Sequence, residues 1–188
     1  MSDHARPPAP DEEALRTMMM NAAGGDDAAF AAVVAALSGR VLRYLRCAGE
    51  SYAEAEDILQ ETWVRVYRNR GRYRRERSVS AWVFAIARNR MIDLRRRRPS
   101  EVPLVAESLA SAAAEPEPND REAAQDLWDR VRGIVSPARF DILWLHYGEG
   151  FSTAAIARVL GLTSINVRVQ LHRARAQLAQ AMQGKERP

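Results

Sequence analysis

Residues 99–120 constrain the fold of this chain more than any other stretch, because they cannot contribute to a hydrophobic core. The segment reads PSEVPLVAESLASAAAEPEPND and holds five acidic residues, four prolines and no basic residue. Such a composition buries too little apolar surface to offset the conformational entropy lost on folding. We therefore predict a flexible acidic, proline-rich linker here, with a small domain on either side.

The linker defines the expected domain organisation of the 188 residues. We predict a disordered amino-terminal segment over 1–20, a first domain over 21–98, the linker over 99–120 and a second domain over 121–188. Each domain is close to the lower size at which a hydrophobic core is self-sufficient. We therefore expect each to depend on a partner for part of its rigidity.

Apolar residues recur in both domains at steps of three and four, the period of an amphipathic helix. The clearest series is Phe30, Val33, Val34, Leu37, Val41, Leu42 and Leu45. A second helix follows Ser51, a possible cap, and a third starts near Val79 and ends before Pro99. Strand signals are nearly absent. The predicted fold class is all-α, with two small helical domains joined by a flexible linker.

The span from Arg65 to Arg98 is strongly basic, because its 13 arginines face only Glu76 and Asp93. The natural counter-ions for a local charge of +11 are nucleic-acid phosphates. Aromatic residues interleave with the arginines at Trp63, Tyr67, Tyr73, Trp82 and Phe84. Single-stranded bases stack on such side chains. The alternative is that Trp82 and Phe84 fill the core while the arginines form a solvated face.

A helix-turn-helix is predicted in the second domain. A short helix containing Ala157, a turn at Gly161 and a longer helix capped by Thr163 follow one another, and the small alanine lets the two helices cross closely. The second helix would enter the major groove. Its expected outward side chains are Ser164, Asn166, Arg168, Gln170 and Arg173, with His172 and Arg175 nearby. The alternative is an ordinary helical hairpin with a polar face.

Catalytic and metal-binding motifs are missing from the sequence. The candidate groups His4, His146, His172 and Cys47 lie on different predicted elements. We expect no cofactor, no metal and no enzymatic activity. A single cysteine excludes an intramolecular disulfide and suggests a reducing compartment. With no apolar run near 18 residues and no signal-peptide pattern, a cytoplasmic protein without membrane insertion is predicted.

Three collinear stretches carry a resemblance to a known family. They are Glu54–Trp63 (EAEDILQETW), Ser80–Asn89 (SAWVFAIARN) with Asp93–Arg97 (DLRRR), and Ser136–Leu178. Over about residues 20–183 the chain resembles bacterial RNA polymerase sigma factors of the extracytoplasmic-function (ECF) group, the two-domain members of the sigma-70 family. The resemblance also places a variable linker where residues 99–120 stand.

The resemblance implies roles for residues of the first domain. The first stretch would dock on the clamp of the largest polymerase subunit through Glu56, Asp57, Gln60, Glu61 and Trp63. The next would melt and read the downstream promoter element through Trp82, Arg88, Asn89, Arg90, Asp93, Arg96 and Arg97. Carboxylates on a helix form charge-assisted bonds to a basic partner. Without the resemblance, a solvated acidic face would be the favoured interpretation.

The second domain would read the upstream promoter element through the outward residues of its second helix. The implied partners are the polymerase core, promoter DNA and an anti-sigma factor that wedges between the domains. Departures from the family pattern fall on DNA-reading positions: Val79, Ser80, Ala155, Ile165, Asn166, Val169 and Gln170. The promoter sequence therefore cannot be transferred from a relative.

Two other classes of protein stay in view. A helix-turn-helix regulator that binds duplex DNA without being a polymerase subunit would share the second domain. It would also need a ligand pocket, phosphoacceptor domain or dimerisation helix, and none is recognisable in the first domain. A protein that mimics a sigma factor to sequester an anti-sigma factor would lack the arginine and aromatic cluster.

Overall fold

The computed structural model describes residues 11–97 and 120–183 and shows helices and no strand within them. The first lobe contains α1 (Glu12–Ala23), α2 (Asp27–Cys47), α3 (Tyr52–Asn69), a 3-10 turn (Arg70–Arg72) and α4 (Val79–Arg97). The second contains α5 (Asp120–Ile134), α6 (Pro137–Leu143), a π-helical turn (Trp144–Gly148), α7 (Thr153–Leu160) and α8 (Ser164–Gln183). The all-α prediction is confirmed. The predicted linker lies outside the described residues except for Asp120.

Helix α1 corrects the prediction of a disordered segment over residues 1–20, which is wrong for residues 12–20. The Asp11 side chain caps the helix by accepting from the Glu13 backbone N–H at 3.0 Å. Leu15 and Met19, one helical turn apart, are fully buried in the first lobe. The apolar spacing of these residues was visible in the sequence, but the prediction did not use it.

Helix α2 is the central helix of the first lobe and packs against α1, α3 and α4. It buries Val33, Leu37, Val41 and Leu45, as their spacing predicted. By length and mean hydropathy, 1.5 over its most apolar window, α2 would also be able to cross a membrane. Its buried side chains and the ion pair that Arg40 makes with the second lobe identify it here as a core helix.

The helix-turn-helix forms as predicted. Ser152 caps α7 by accepting from the Ala155 N–H at 3.2 Å, and Thr163 caps α8 by accepting from the Asn166 N–H at 3.2 Å. Gly161 ends α7 with φ at 67°, a left-handed conformation that favours glycine. Ala157 is buried, and α7 packs against α8. The caps and the turn at Gly161 thus form where the sequence predicted them.

The segment between α6 and α7 is not a regular α-helix. Pro137 begins α6, and the chain widens into a π-helical turn from Trp144. Its indole packs against Trp128 and Phe140, with ring centroids 4.6 and 6.2 Å away. A Cβ at Gly148 would stand 3.1 Å from the Trp144 indole, so glycine permits this packing. The turn leads directly to Glu149.

The two lobes are joined by a buried carboxylate on α6. Asp141 is 4% exposed, and its Oδ2 accepts from Arg88 Nε of α4 at 2.6 Å. Its Oδ1 accepts from the Tyr44 hydroxyl of α2 at 2.8 Å. Burial, and then the neighbouring Asp141 charge, raise the pKa of Tyr44 well above its usual value, so this hydroxyl stays a donor. Both partners of the carboxylate come from the first lobe.

A second buried carboxylate repeats the arrangement beside α7. Glu149 is 4% exposed; one oxygen accepts from Arg40 Nε at 2.8 Å and the other from Trp144 Nε1 at 3.2 Å. Between the two ion pairs, Phe84 of α4 meets Phe151 edge to face at 5.6 Å. Removing one partner of a buried pair typically costs about 3–5 kcal/mol. These pairs therefore hold the lobes in one arrangement.

The single cysteine lies at the edge of this interface. Cys47 is 3% exposed, and its Sγ lies 3.0 Å from Gln125 Oε1 of α5. Burial raises the pKa of its thiol to about 12, so the thiolate that attacks electrophiles is scarce at neutral pH. The thiol is thus a natural reporter of contact between the lobes.

We predict that breaking both ion pairs exposes this thiol. In the double variant Asp141→Asn, Glu149→Gln, the arginines lose their carboxylates and Cys47 should react with a disulfide reagent at least about tenfold faster at about pH 8. Asp57→Asn, at an exposed site, is the matched control and should react like the unaltered chain. Equal rates in all three proteins, with helicity unchanged, would show that the ion pairs do not hold the lobes together.

Candidate functional site

The basic span folds around a cleft between α3 and α4. Its volume is about 330 Å³, and its lining is Arg65, Asn69, Arg72, Tyr73, Arg77, Trp82, Ile86 and Asn89. Three arginines and two aromatic rings therefore face one concave surface. This is the combination that the sequence pattern predicted for contact with unpaired bases.

Two aromatic rings form one wall of the cleft. Trp82 is half-buried and lies 5.6 Å from the Tyr73 ring with an interplanar angle of 34°. The Tyr73 hydroxyl donates to the Arg77 carbonyl at 2.6 Å, which fixes the ring against the turn. Burial raises the pKa of Tyr73 to about 12, so this donor persists at neutral pH. Trp82 packs against Tyr73 and also lines the cleft. It therefore has features of both alternatives given for it, a core residue and a residue that could contact bases.

The other aromatic residues of the span have structural positions. Phe84 is fully buried and belongs to the core. Trp63, expected on the polymerase-binding face, is half-buried between α2 and α3. Its Nε1 donates to Ser38 Oγ at 3.0 Å, and its ring meets Phe30 at 6.1 Å. Any contact of Trp63 with a partner would therefore involve only the edge left exposed.

Several arginines of the span from Arg65 to Arg98 form ion pairs with acids elsewhere in the chain, so its effective positive charge is lower than the +11 counted from the sequence. Arg75 pairs with Glu13, Arg88 with Asp141, Arg90 with Glu61 and Arg95 with Glu50. All four acids lie outside the span from Arg65 to Arg98, so a count along the chain missed them. Basic surface remains at the cleft, which Arg65, Arg72 and Arg77 line, and at the end of α4, where Arg96 and Arg97 are exposed.

The residues predicted to contact the downstream element separate into two groups. Trp82 and Asn89 line the cleft, and Arg96 and Arg97 are exposed at the end of α4. Arg88, Arg90 and Asp93 are half-buried, and the first two are held in the ion pairs just described. In this arrangement Arg88 reaches DNA only if its bond to Asp141 is broken.

The outer face of α3 carries the predicted polymerase-binding residues. Asp57 and Gln60 are exposed, whereas Glu56 and Glu61 are half-buried. Val64 and Tyr67, 47% and 38% exposed, continue the same stripe at helical spacing. The sequence interpretation omitted these two as interface residues, although their spacing from Gln60 was a sufficient signal. The face is acidic at one end and apolar at the other.

The outward face of α8 largely matches the prediction. Asn166, Arg168, His172, Arg173 and Arg175 are exposed, and Val167, Leu171 and Ala174 form the buried face of the helix. Ser164 and Gln170 are half-buried instead, and Gln170 Oε1 accepts from Arg139 Nε at 3.3 Å.

Two further features complete the outward face of α8. Arg175 Nε donates to the Tyr147 hydroxyl at 2.6 Å, which holds the guanidinium beside the helix. The face also presents Ile165 and Val169, two apolar residues that the polar prediction left out. The surface offered to a groove is therefore mixed, with basic side chains beside aliphatic ones.

Two family models match the chain in the order of the two lobes. The model of Sigma-70 region 2 matches residues 33–100, from within α2 to the end of α4. The model of Sigma-70, region 4 matches residues 135–178, from the residue pair before α6 into α8. The match of the first lobe decides against a regulator that shares only the helix-turn-helix.

Curated relatives agree with these matches. The ECF RNA polymerase sigma factor SigF of Caulobacter vibrioides is 30% identical over 179 residues, covering 91% of this chain and 95% of the relative. The probable RNA polymerase sigma factor RfaY of Xanthomonas campestris pv. campestris is 31% identical over 156 residues. That match covers 79% of this chain but only 39% of RfaY.

A solved structure resembles the fold of the whole chain. It is the structure of CnrH in complex with the cytosolic domain of CnrY, with a TM-score of 0.71 and 24% identity. A relative of the same name, CnrH, comes from Cupriavidus metallidurans. The structural match covers 91% of this chain and 98% of the chain in the solved complex. The two-lobed helical architecture is therefore one already observed.

We predict that two neighbouring acids on α3 differ in their effect on stability. Glu61→Lys places a like charge beside Arg90, whose side chain is 11% exposed, and should lower the free energy of unfolding by about 2 kcal/mol. Asp57→Lys, on the exposed face, should change it by less than about 0.5 kcal/mol. Thermal melting checks both, and equal melting temperatures would remove the Glu61–Arg90 pair as a stabilising contact.

Proposed function

Since this chain belongs to the extracytoplasmic-function sigma factors of the sigma-70 family, we propose that its two lobes divide promoter recognition between the cleft of the first and α8 of the second. As a sigma factor, the chain binds the RNA polymerase core and directs initiation of transcription at promoters. The observation that supports two separate DNA-binding roles is that the cleft and α8 offer basic surfaces of different shapes. One is concave and aromatic, and the other is a convex helix.

The cleft suits an unpaired base. The tilted pair of Trp82 and Tyr73 provides a flat apolar wall, and Arg65, Arg72 and Arg77 line the same cavity. A base that leaves the duplex can stack on the indole while the guanidinium groups hold adjacent phosphates. Stacking there would stabilise the melted strand, which is what opening a promoter requires. The chain supplies binding energy, and we assign the chemistry to the polymerase core.

The stripe on α3 suits a basic protein surface. Asp57 and Gln60 offer carboxylate and amide groups, and the exposed Val64 and Tyr67 add apolar area beside them. Charge complementarity would steer the approach of the polymerase, and the apolar end would hold it. We therefore assign the polymerase-binding face to Asp57, Gln60, Val64 and Tyr67, with Glu56 and Glu61 at its border.

The convex face of α8 suits the major groove of the upstream element. Arg168 and Arg173 are exposed on it, and arginine pairs bidentately with guanine or holds phosphate. Asn166 in the first turn is suited to adenine in the same way. Arg175, tethered by the Tyr147 hydroxyl, is placed beside this face and is assigned to the phosphate backbone.

Control by an anti-sigma factor is the proposed regulation. CnrH was solved in complex with the cytosolic domain of CnrY, and a sigma factor of Bartonella quintana with the anti-sigma factor NepR. A partner that wedges between the lobes of this chain must replace the carboxylates that Arg40 and Arg88 use now. An acidic segment would meet that requirement. We place the working chain in the cytoplasm, where the polymerase is.

Association with core polymerase tests the proposed function. The purified chain should co-elute with the core enzyme, and the holoenzyme should transcribe from selected genomic promoters. Asp57→Lys should abolish co-elution because it reverses a charge against a basic partner, at a cost of several kcal/mol. Asp126→Lys, an exposed acid of α5, is the matched control and should co-elute normally. Failure of the unaltered chain to bind the core would refute the proposal.

Promoter opening tests the cleft. Trp82→Ala should weaken stable open-complex formation by about 1–3 kcal/mol, the usual contribution of one stacked base, while core binding is unchanged. Trp82→Phe keeps a flat ring and should recover most of the loss. Permanganate footprinting of the melted strand measures both. Normal opening by the alanine variant would mean that the indole serves only to pack against Tyr73.

A further inference from the structure

Two aliphatic side chains are exposed to solvent on α8, the helix assigned to the major groove. Ile165 is 69% exposed and Val169 is 42% exposed, both near the start of α8. The helices that pack against α8 are α5, α6 and α7, all of the second lobe. The two residues therefore stay accessible while the lobes are in contact.

Their position on the helix is central rather than marginal. At 100° per residue, Ile165 and Val169 point within about 20° of the direction opposite Val167. Val167 is fully buried, and Leu171 and Ala174 continue its buried stripe. Ile165 and Val169 therefore occupy the middle of the face that a groove-bound α8 presents to the base edges. The exposed arginines stand to either side of them.

Helix formation does not account for these residues. Branched side chains at exposed helical positions are poorer helix formers than alanine, and their apolar surface gains nothing from water. The same branching strongly favours one χ1 angle for each side chain in a helix. A rigid, protruding aliphatic group suits contact with a ligand that offers a small apolar target at a fixed position.

The charge around the pair identifies the ligand. The helix Ser164–Gln183 contains no acidic residue, and Arg168 and Arg173 are exposed on either side of the aliphatic pair. A basic rim of this kind favours a polyanion over an apolar protein surface. In the major groove, the apolar group that DNA offers is the 5-methyl of thymine, which aliphatic side chains contact.

We propose that Ile165 and Val169 are specificity-determining residues that read thymine methyl groups in the upstream promoter element. This inference rests on the proposed function of α8. The two residues are separated by about 6 Å along the helix axis, so their thymines lie within about two base steps of each other.

The test removes the methyl group and nothing else. The holoenzyme first selects duplexes from a library randomised over the upstream element, and each selected thymine is then replaced by deoxyuridine. At one or two positions the replacement should weaken holoenzyme binding about fourfold, the equivalent of one buried CH2 group. With Ile165→Ala or Val169→Ala, one of these positions should become insensitive to the replacement.

Matched variants separate methyl contact from other effects. Ile165→Val keeps a branched side chain and should keep most of the sensitivity, and Met182→Ala, at an exposed apolar site of α8, should keep all of it. Three results would each overturn the inference and leave the proposed function standing. The selected sites could lack thymine, or the replacement by deoxyuridine could have no effect on binding. Alternatively, Ile165→Ala could weaken binding to the thymine duplex and to the deoxyuridine duplex equally. A holoenzyme that selects no upstream sequence would overturn both.

Discussion

The arrangement of this molecule depends on two buried carboxylates of the second lobe whose arginine partners lie in the first lobe. Asp141 and Glu149 are buried on the second lobe, and their arginine partners, Arg88 and Arg40, belong to the first. Tyr44 completes the network by donating to Asp141. A carboxylate removed from water needs a charged or hydrogen-bonding partner, or it must be neutralised. The lobes therefore meet where those partners are, and the Phe84–Phe151 contact fills the space between the pairs.

This interface connects structure to function through Arg88. The same guanidinium is predicted to contact promoter DNA and is held by Asp141 between the lobes, so the two uses exclude each other. The cleft, with Trp82, and the face of α8 remain accessible in the present arrangement. If Arg88 contacts DNA as proposed, DNA phosphate would compete with Asp141 for its guanidinium group, and an acidic regulatory segment would compete in the same way. The contact between lobes thus sets how much of the first lobe's basic surface is available.

Prediction from the sequence succeeded where the physical signal is local. The stripe of α2, the cap of α8 at Thr163 and the turn at Gly161 each follow from residues within one or two helical turns. The candidate cleft was also predictable, because its arginines and aromatic rings are neighbours along the chain. Helix α1 was missed although its apolar spacing is local, since the prediction did not use the spacing of Leu15 and Met19. Ile165 and Val169 were missed because an outward face was assumed to be polar.

The sequence by itself determined the all-α fold class, the order of the two lobes, the helix-turn-helix and the presence of a basic region in each lobe. Only the tertiary structure decided which charges remain available. Arg88 and Asp141 are 53 residues apart, and Arg40 and Glu149 are 109 apart. Helical periodicity relates residues about four positions apart, so it carries no information on such pairs. The sequence shows which side chains are charged, but tertiary packing determines their partners. The reason is that an unpaired charge is far more costly when buried than in water.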